Sequence, residues 1–222
     1  MRFWKRAHFR NRKDAGQQLA LRLIGMRPKK PVVVGLVRGG IPVACEVSHL
    51  LDAPLYPAII EPISAPAQTD LPLGAIVHAD APEIVWHEDV VHAYCASDAC
   101  LKDALEKAEA RVQRLRTLFG ESELHSVGGR HVIMVDDGAA QAAAVRAVLQ
   151  VLRKHRPKDI TLAVPVCVGN TLSEAEGLAD EFVCLHRSDD IESVDEAYRD
   201  FDAVSDTELC EAIRQASREQ AA

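Results

Sequence analysis

The chain has 222 residues and a mass of 24.3 kDa, which is enough for one sizeable domain or for one domain with a small appendage. Hydrophobic residues make up 48% of it and charged residues 27%, as in ordinary soluble globular proteins. The formal net charge of −7 argues against a general nucleic-acid binder, and no apolar run approaches the ~20 residues of a membrane span.

The start of the chain is locally basic, and two interpretations of it stay open. A basic arm could contact nucleic acid, whereas a solvated helix face needs no ligand, and we favour the helix face. The same start lacks an apolar core of signal-peptide length. The six cysteines are scattered without a CxxC pair, which is typical of reduced thiols in a cytoplasmic protein, and we expect that localisation. The basic residues are Arg2, Lys5, Arg6, Arg10, Arg12 and Lys13.

Short apolar runs alternate with helical patterns along most of the chain. This alternation predicts an α/β fold with a doubly wound, mostly parallel sheet. A capping box at residues 171–174 marks one helix start, and Pro157 ends the helix before it. The last strand is followed by an acidic helical tail. Strands are expected at residues 31–37, 54–60, 131–137, 159–168 and 181–186, and helices at residues 14–26, 41–51, 98–119 and up to 156.

Residues 61–98 break this alternation. Their first part, EPISAPAQTDLPLG, is rich in proline, and EIVWHEDVVHAY resembles one or two edge strands. We expect a flap or a small subdomain beside the main sheet.

His87 and His92 resemble a zinc-binding HExxH motif, but they are five residues apart. This spacing places them roughly 140° apart around a helix, so we predict no metal site there.

Polar residues follow two of the predicted strands at the points where the strands end. Arg38-Gly39-Gly40 closes the first strand and Asp136-Asp137-Gly138 closes a later one. Ligands of open α/β sheets lie outside the carboxyl ends of the strands. Two glycines let backbone N–H groups face an anion, with Arg38 beside them. Taken alone, each motif also fits a plain tight turn.

Five segments together resemble the type I phosphoribosyltransferases, specifically the bacterial branch that opens with F-x-[DN]-R-x-D-A-G. This resemblance covers nearly the whole chain and implies one domain over residues 1–222. It implies a Rossmann-like core, with a small hood built from about residues 1–20 and 61–98. The segments, in order, are FRNRKDAGQQLA, VRGGIPVACEVSHLLDAPL, LPLGAI, VIMVDDG and AYRDFDAVSDTEL.

The resemblance also implies a reaction, the transfer of ribose 5-phosphate from phosphoribosyl pyrophosphate to a nitrogen base. Magnesium would be the cofactor, held through the ligand and not directly by the protein. Arg38, Gly39 and Gly40 match the loop that binds pyrophosphate. Asp136 and Asp137 match the catalytic acidic pair that contacts the ribose hydroxyls. The loop that cradles the 5-phosphate corresponds to Gly138, Ala139, Ala140, Gln141, Ala142, Ala143 and Ala144.

This phosphate loop departs from the family pattern D-D-G-x-A-T-G-A-T. Gln141 and Ala144 stand at the threonine positions and Ala142 at the glycine position. Each lost hydroxyl bond to a phosphate dianion costs ~1.5–3 kcal/mol, and a left-handed Ala142 would add ~1–2 kcal/mol. The sum of ~4–8 kcal/mol weakens binding by roughly three to five powers of ten. A run of alanines also favours a helix, which could begin early and fill the cradle.

A second departure from the family pattern also disfavours phosphate binding. Many relatives carry Arg-Lys at the end of the second strand, where this chain has Glu61-Pro62, and a carboxylate there disfavours a pyrophosphate. We therefore expect a family member that binds a small phosphoribosyl or nucleotide ligand but whose transferase activity is impaired or lost. The alternatives are a non-catalytic nucleotide-binding or protein-interaction module, and a different enzyme that uses the acidic pair. The apolar face of the long helix is compatible with a homodimer interface.

Overall fold

A computed structural model of the chain describes residues 7–65, 68–79, 81–94, 98–120, 123–139, 142–169 and 177–220. Within these residues one seven-stranded sheet carries helices on both faces. The strands are β1 (Val32–Leu36), β2 (Leu55–Ala65), β3 (Gln68–His78), β4 (Pro82–Trp86), β5 (His131–Val135), β6 (Asp159–Val168) and β7 (Glu181–Ser188). The helices are α1 (Arg12–Leu23), α2 (Gly40–Leu51), α3 (Glu88–Tyr94), α4 (Asp98–Phe119), α5 (Ala142–Lys154) and α6 (Asp206–Gln220).

The strand order is β4-β3-β2-β1-β5-β6-β7, and the strands from β2 to β7 along this order are parallel. The predicted doubly wound α/β fold is therefore confirmed. From β1 the chain passes through α2 to β2 on one side, and it later returns as β5 on the other side. The carboxyl ends of β1 and β5 consequently flank the crevice at which the winding direction reverses, which is where such sheets bind ligands.

The alternation of side chains along β1 and β5 fixes the two faces of the sheet. Val33 and Ile133 point towards α1 and α2, and the same face continues over β2 and β3 to α4 and α6. Val34 and Met134 point towards α5 on the opposite face. All five residues of β1 are buried, as expected of a parallel strand covered on both sides.

The proline-rich region differs from its prediction. A flap was expected from residue 61 onwards, but β2 continues to Ala65 and pairs antiparallel with β3, so the region extends the main sheet. Pro72 lies opposite Ser64, where the register shifts, and a bulge is one of the sites at which a strand tolerates proline.

The following segment was predicted as edge strand throughout, and this is correct only for β4. Residues Glu88–Tyr94 form α3. Glu88 and Asp89 lie in its first turn, where carboxylates interact favourably with the helix dipole. The predicted helix start at residues 171–174 lies outside the described residues.

Helix α1 contains part of the predicted hood, and helix α4 carries the apolar face that was considered for a homodimer interface. Residues 12–20 belong to α1, which packs on α2 and the sheet while its first turn reaches the carboxyl edge. The apolar face of α4, with Val112 and Leu115, is buried against Ile59 and Ile63 of β2, so this face is used within one chain. No helix in the described ranges is long and apolar enough to span a membrane.

Candidate functional site

The ends of β1 and β5 lie in direct contact at the crevice. A Cβ on Gly39 would lie 2.0 Å from Oδ2 of Asp137, and a Cβ on Gly40 would lie 2.8 Å from the carbonyl oxygen of Val135. Real Cβ atoms do not approach so closely, so both positions need glycine. The Val37–Arg38 peptide just before them is cis. The two strand ends singled out from the sequence therefore form one site.

Asp137 is held by an arginine from the start of α1. The Arg12 Nε lies 2.7 Å from the Asp137 Oδ2, and the two side chains are only 13% and 15% exposed. Arg12 also donates to the carbonyl oxygen of Asp202 over 2.7 Å, and its guanidinium lies 3.7 Å from the centre of the Phe201 ring. The hydroxyl of Tyr198 donates to the Asp137 carbonyl oxygen over 2.6 Å. Both the carboxylate and the backbone of Asp137 are thus fixed.

Residues 197–206, which we call the closing segment, supply most of these contacts. The segment is tied to the N-terminal part of the chain, where Phe9 donates to the Ala197 carbonyl and accepts from the Arg199 amide, each over 3.0 Å. Phe9 is buried against Tyr198. Just after it, the Asn11 side chain caps α1 and sets where Arg12 begins the helix.

Asp136 differs from Asp137 in its electrostatics. Burial raises the pKa of Asp136 well above its usual value, and the negative charge of Asp137 adds to the increase. Asp136 Oδ1 accepts a hydrogen bond from the Asp137 amide over 2.9 Å, which opposes the increase. Burial likewise raises the pKa of Tyr198, so its hydroxyl keeps the proton that it donates. The acidic pair therefore has one carboxyl bonded to a cation and one whose ionised form is disfavoured by burial.

Arg38 is engaged by the far end of the closing segment. Its Nη1 donates to a carboxylate oxygen of Asp206 and approaches the carbonyl oxygen of Val204. Arg114 of α4 donates to the other Asp206 oxygen over 3.0 Å. The hydrogen bond from Arg38 lowers the pKa of Asp206, and Arg114 adds to the decrease, so this carboxyl stays ionised.

Glu61 is also paired. The Arg111 Nε of α4 donates to the Glu61 carboxylate over 2.9 Å, and its Nη2 donates to the Pro62 carbonyl over 2.8 Å. Glu61 was expected as an uncompensated negative charge at the end of the second strand, but β2 continues to Ala65 and Glu61 lies within it. The contact with Arg111 offsets that charge, so this departure from the family pattern weighs less than its sequence suggests.

The phosphate loop is described only in part. Gly138 is in tight contact with the chain behind it, because an added Cβ would lie 2.5 Å from Val194 Cγ1. Ala139 exchanges backbone hydrogen bonds with Val166 and Val168 of β6. Ala140 and Gln141 lie outside the described residues, and so does the side chain of Ala142. Helix α5 begins at Ala142 and includes Ala143 and Ala144, in line with the helical preference of an alanine run.

No group of three or more His, Cys, Asp or Glu side chains in the described parts of the chain is arranged to hold a metal ion. His87 lies between β4 and α3, where its Nδ1 is 3.1 Å from the Pro72 carbonyl oxygen, and His92 lies in α3.

The sequence that forms this site matches a known protein family. The model of the phosphoribosyl transferase domain matches residues 8–202, a range that includes both strand ends and Arg12. The chain belongs to the phosphoribosyl transferase domain family.

Individual relatives agree with this assignment. Two Mycobacterium tuberculosis proteins provisionally named phosphoribosyl transferases, Rv0571c of strain H37Rv and MT0597 of strain CDC 1551, are 36% identical over 215 residues. The match covers 95% of this chain but only 47% of theirs, so the chain spans about half the length of these curated relatives. The crystal structure of TT1426 from Thermus thermophilus is 29% identical, with a TM-score of 0.75, over 94% of this chain and 98% of that one.

Within this phosphoribosyl transferase domain, Arg38, Gly39, Gly40 and the acidic pair lie together, and their roles towards a ligand stay predictions. Sequence reasoning gave no site role to five side chains that engage them, which are Arg12, Arg114, Tyr198, Phe201 and Asp206. It placed Arg12 on a solvated helix face, but the Arg12 side chain is largely buried against Asp137. A signal for four of them was present. Arg12 lies in the first segment that carried the family resemblance, and Tyr198, Phe201 and Asp206 lie in the last.

Proposed function

We propose that this phosphoribosyl transferase domain binds a small phosphoribosyl or nucleotide ligand in the crevice between β1 and β5, and that it transfers ribose 5-phosphate from phosphoribosyl pyrophosphate to a nitrogen base only weakly or not at all. One observation carries the second half of the proposal. The charged side chains that the reaction needs, Asp137 and Arg38, are already paired with other groups of the same chain.

On the ribose side, ligand hydroxyls would have to share Asp137 with Arg12. That ion pair is largely buried and its arginine is also stacked on Phe201, so it is costly to open. Asp136 lies next to it with a raised pKa, so burial disfavours the ionised carboxylate that would accept two hydroxyl bonds. This end of the crevice thus offers a ligand weaker hydrogen bonding than two free carboxylates would.

On the pyrophosphate side, the ligand would compete with Asp206 for Arg38. The Gly39–Gly40 turn still opens α2, and the N-terminal end of a helix attracts an anion, although the Asp137 and Asp136 carboxylates lie close against this turn. Anion binding through this loop is therefore weakened but not lost, which is why we propose a ligand-binding site and not an inert fold.

Magnesium is expected only together with such a ligand. When bound, it would neutralise charge on the pyrophosphate as the bond to the ribose carbon breaks. The acidic pair is the nearest donor set, but Asp137 is paired with Arg12 and the raised pKa of Asp136 opposes metal binding. This chain would accordingly contribute Arg38 and backbone amides, and the ligand would contribute the oxygens that hold the ion.

The second candidate is a non-catalytic module that binds a nucleotide or a partner chain. The same ion pairs favour it, since a site that is closed by its own side chains suits regulation better than turnover. The candidates differ in what they bind. An impaired enzyme binds phosphoribosyl pyrophosphate with magnesium at millimolar strength, whereas the module gives no heat with this ligand and a measurable one with a nucleotide.

Calorimetry with phosphoribosyl pyrophosphate and magnesium chloride tests the proposal. We expect the wild-type protein to bind more weakly than micromolar, and Gln141→Thr, Ala142→Gly and Ala144→Thr together to tighten binding by about two powers of ten or more. Ala143→Thr is the matched control, because it adds a hydroxyl where the family pattern has alanine. Micromolar binding with brisk turnover by the wild-type protein would refute the proposal. An unchanged affinity in the triple variant would show that the loop is not the limiting feature.

A further inference from the structure

We propose that Asp206 is an internal competitor for an anion site formed by Arg38 and Arg114, so that a phosphate-bearing ligand reaches Arg38 only by displacing this carboxylate. The idea rests on the proposed function and adds to it a means of regulation, because the closing segment then decides how open the crevice is. Arg114 is new to the site, and nothing in the phosphate-loop argument involves it.

Two guanidinium groups converge on one carboxylate in this arrangement. Arg38, from the end of β1, donates to Oδ1 of Asp206, and Arg114, from the C-terminal half of α4, donates to Oδ2 over 3.0 Å. Such a pair of arginines around a single acidic group is also how proteins hold a phosphate, which accepts several charge-assisted hydrogen bonds at once. Asp206 occupies the place that a phosphate would take.

The position of Asp206 is set by its helix and not by the arginines. Ser205 and Glu208 form a reciprocal capping box at the start of α6, with the Ser205 amide donating to Glu208 over 2.8 Å and the Glu208 amide donating to Ser205 over 3.2 Å. Leu209 in the next turn is fully buried against α4 and β2. The backbone of Asp206 therefore stays at the crevice whether or not Arg38 is bound, and a ligand has to displace only the carboxylate side chain.

The arginines, by contrast, are free to exchange partners. The side chains of Arg38 and Arg114 are 40% and 72% exposed, and that of Asp206 is 30% exposed. Ion pairs with this exposure are weak and break without unfolding. A ligand phosphate carries more charge than a carboxylate, so it can replace Asp206 as the partner of both arginines. Its affinity is reduced because it competes with the Asp206 carboxylate and is repelled by it.

The test is calorimetric titration with inorganic pyrophosphate. Asp206→Asn removes the competing charge while keeping the size of the side chain, and we expect it to bind pyrophosphate about two- to tenfold more tightly than the wild-type protein. Glu211→Gln is the matched control, since it changes the net charge equally and its exposed side chain lies on α6, the same helix that begins at Asp206. We expect it to leave the affinity unchanged.

A second pair of variants tests whether Arg114 belongs to the site. In the Asp206→Asn background, Arg114→Gln should reverse most of the gain, whereas Lys107→Gln, which removes an equal charge from an exposed position of α4, should not. Equal affinities for the wild-type, Asp206→Asn and Glu211→Gln proteins would overturn the competitor role while leaving the proposed function intact. Failure of every variant to bind pyrophosphate, phosphoribosyl pyrophosphate or a nucleotide would overturn both.

Discussion

Replacing Arg12 with methionine would remove the cation that holds Asp137 at the centre of the crevice. Methionine keeps an unbranched apolar side chain of similar length and can still pack on Phe201. What is lost is the 2.7 Å contact to the Asp137 carboxylate, the hydrogen bond to the Asp202 carbonyl and the cationic stacking on Phe201. The perturbation therefore isolates the electrostatic part of the contact.

The structure sets the size of the effect. Because both side chains are more than four-fifths buried, removing one partner of this pair should cost about 3–5 kcal/mol. We therefore expect Arg12→Met to lower the free energy of unfolding by about that amount.

Urea denaturation at pH 7 measures this, within a double-mutant cycle. Arg12→Met combined with Asp137→Asn should lie within about 1.5 kcal/mol of the wild-type protein, because no unpaired charge is then buried. Arg10→Met is the matched control, since Arg10 forms an exposed pair with Asp14 and should cost less than about 1 kcal/mol. If Arg12→Met costs no more than Arg10→Met, or the cycle shows no coupling, the buried pair does not hold the site and the reasoning fails.

Two further variants probe the same crevice. Asp136→Asn should raise the free energy of unfolding at pH 7, because the folded-state pKa of Asp136 is raised and its carboxyl therefore favours the folded state only at low pH. The gain should grow by at most about 1.4 kcal/mol per pH unit above about pH 4 and vanish below it. A difference in urea midpoint between Asp136→Asn and the wild-type protein that stays constant between about pH 4.5 and about pH 7.5 would contradict this. Gly39→Ala should cost about 1–3 kcal/mol and abolish pyrophosphate binding, because its Cβ would overlap the Asp137 carboxylate, whereas Gly25→Ala, which meets nothing within 4 Å, should be close to neutral in a thermal melt.

The core of the fold was predictable because buried parallel strands have a local signature. β1 and β5 are short and continuously apolar, and the residues that end them, Gly39 and Asp136 among others, were recognised as site candidates before any tertiary contact was known. The antiparallel extension was not predictable in the same way. Its prolines resemble strand breakers, and only the register with β2 reveals that Pro72 falls at a bulge.

The ion pairs that close the site could not be predicted from the sequence, and the reason is different. Arg12 and Asp137 are 125 residues apart in the chain, and Arg38 and Asp206 are 168 apart. No hydrophobic period or short motif encodes pairings at such distances, which depend on how α1 and the closing segment fold back over the strand ends. The family resemblance identified the segments that carry these residues, but a resemblance in sequence does not say which side chain touches which.

The edge of the sheet has a consequence for how the protein behaves at high concentration. A sheet edge presents unpaired backbone groups to which a strand of another molecule can add, and long flat edges promote aggregation. Here the edge strand β4 has only five residues, begins with Pro82 and places Glu83 in an ion pair with Lys154 of α5. A short strand with a missing donor at its start and a tethered charge is a poor template for intermolecular pairing, so this side of the molecule resists fibril growth.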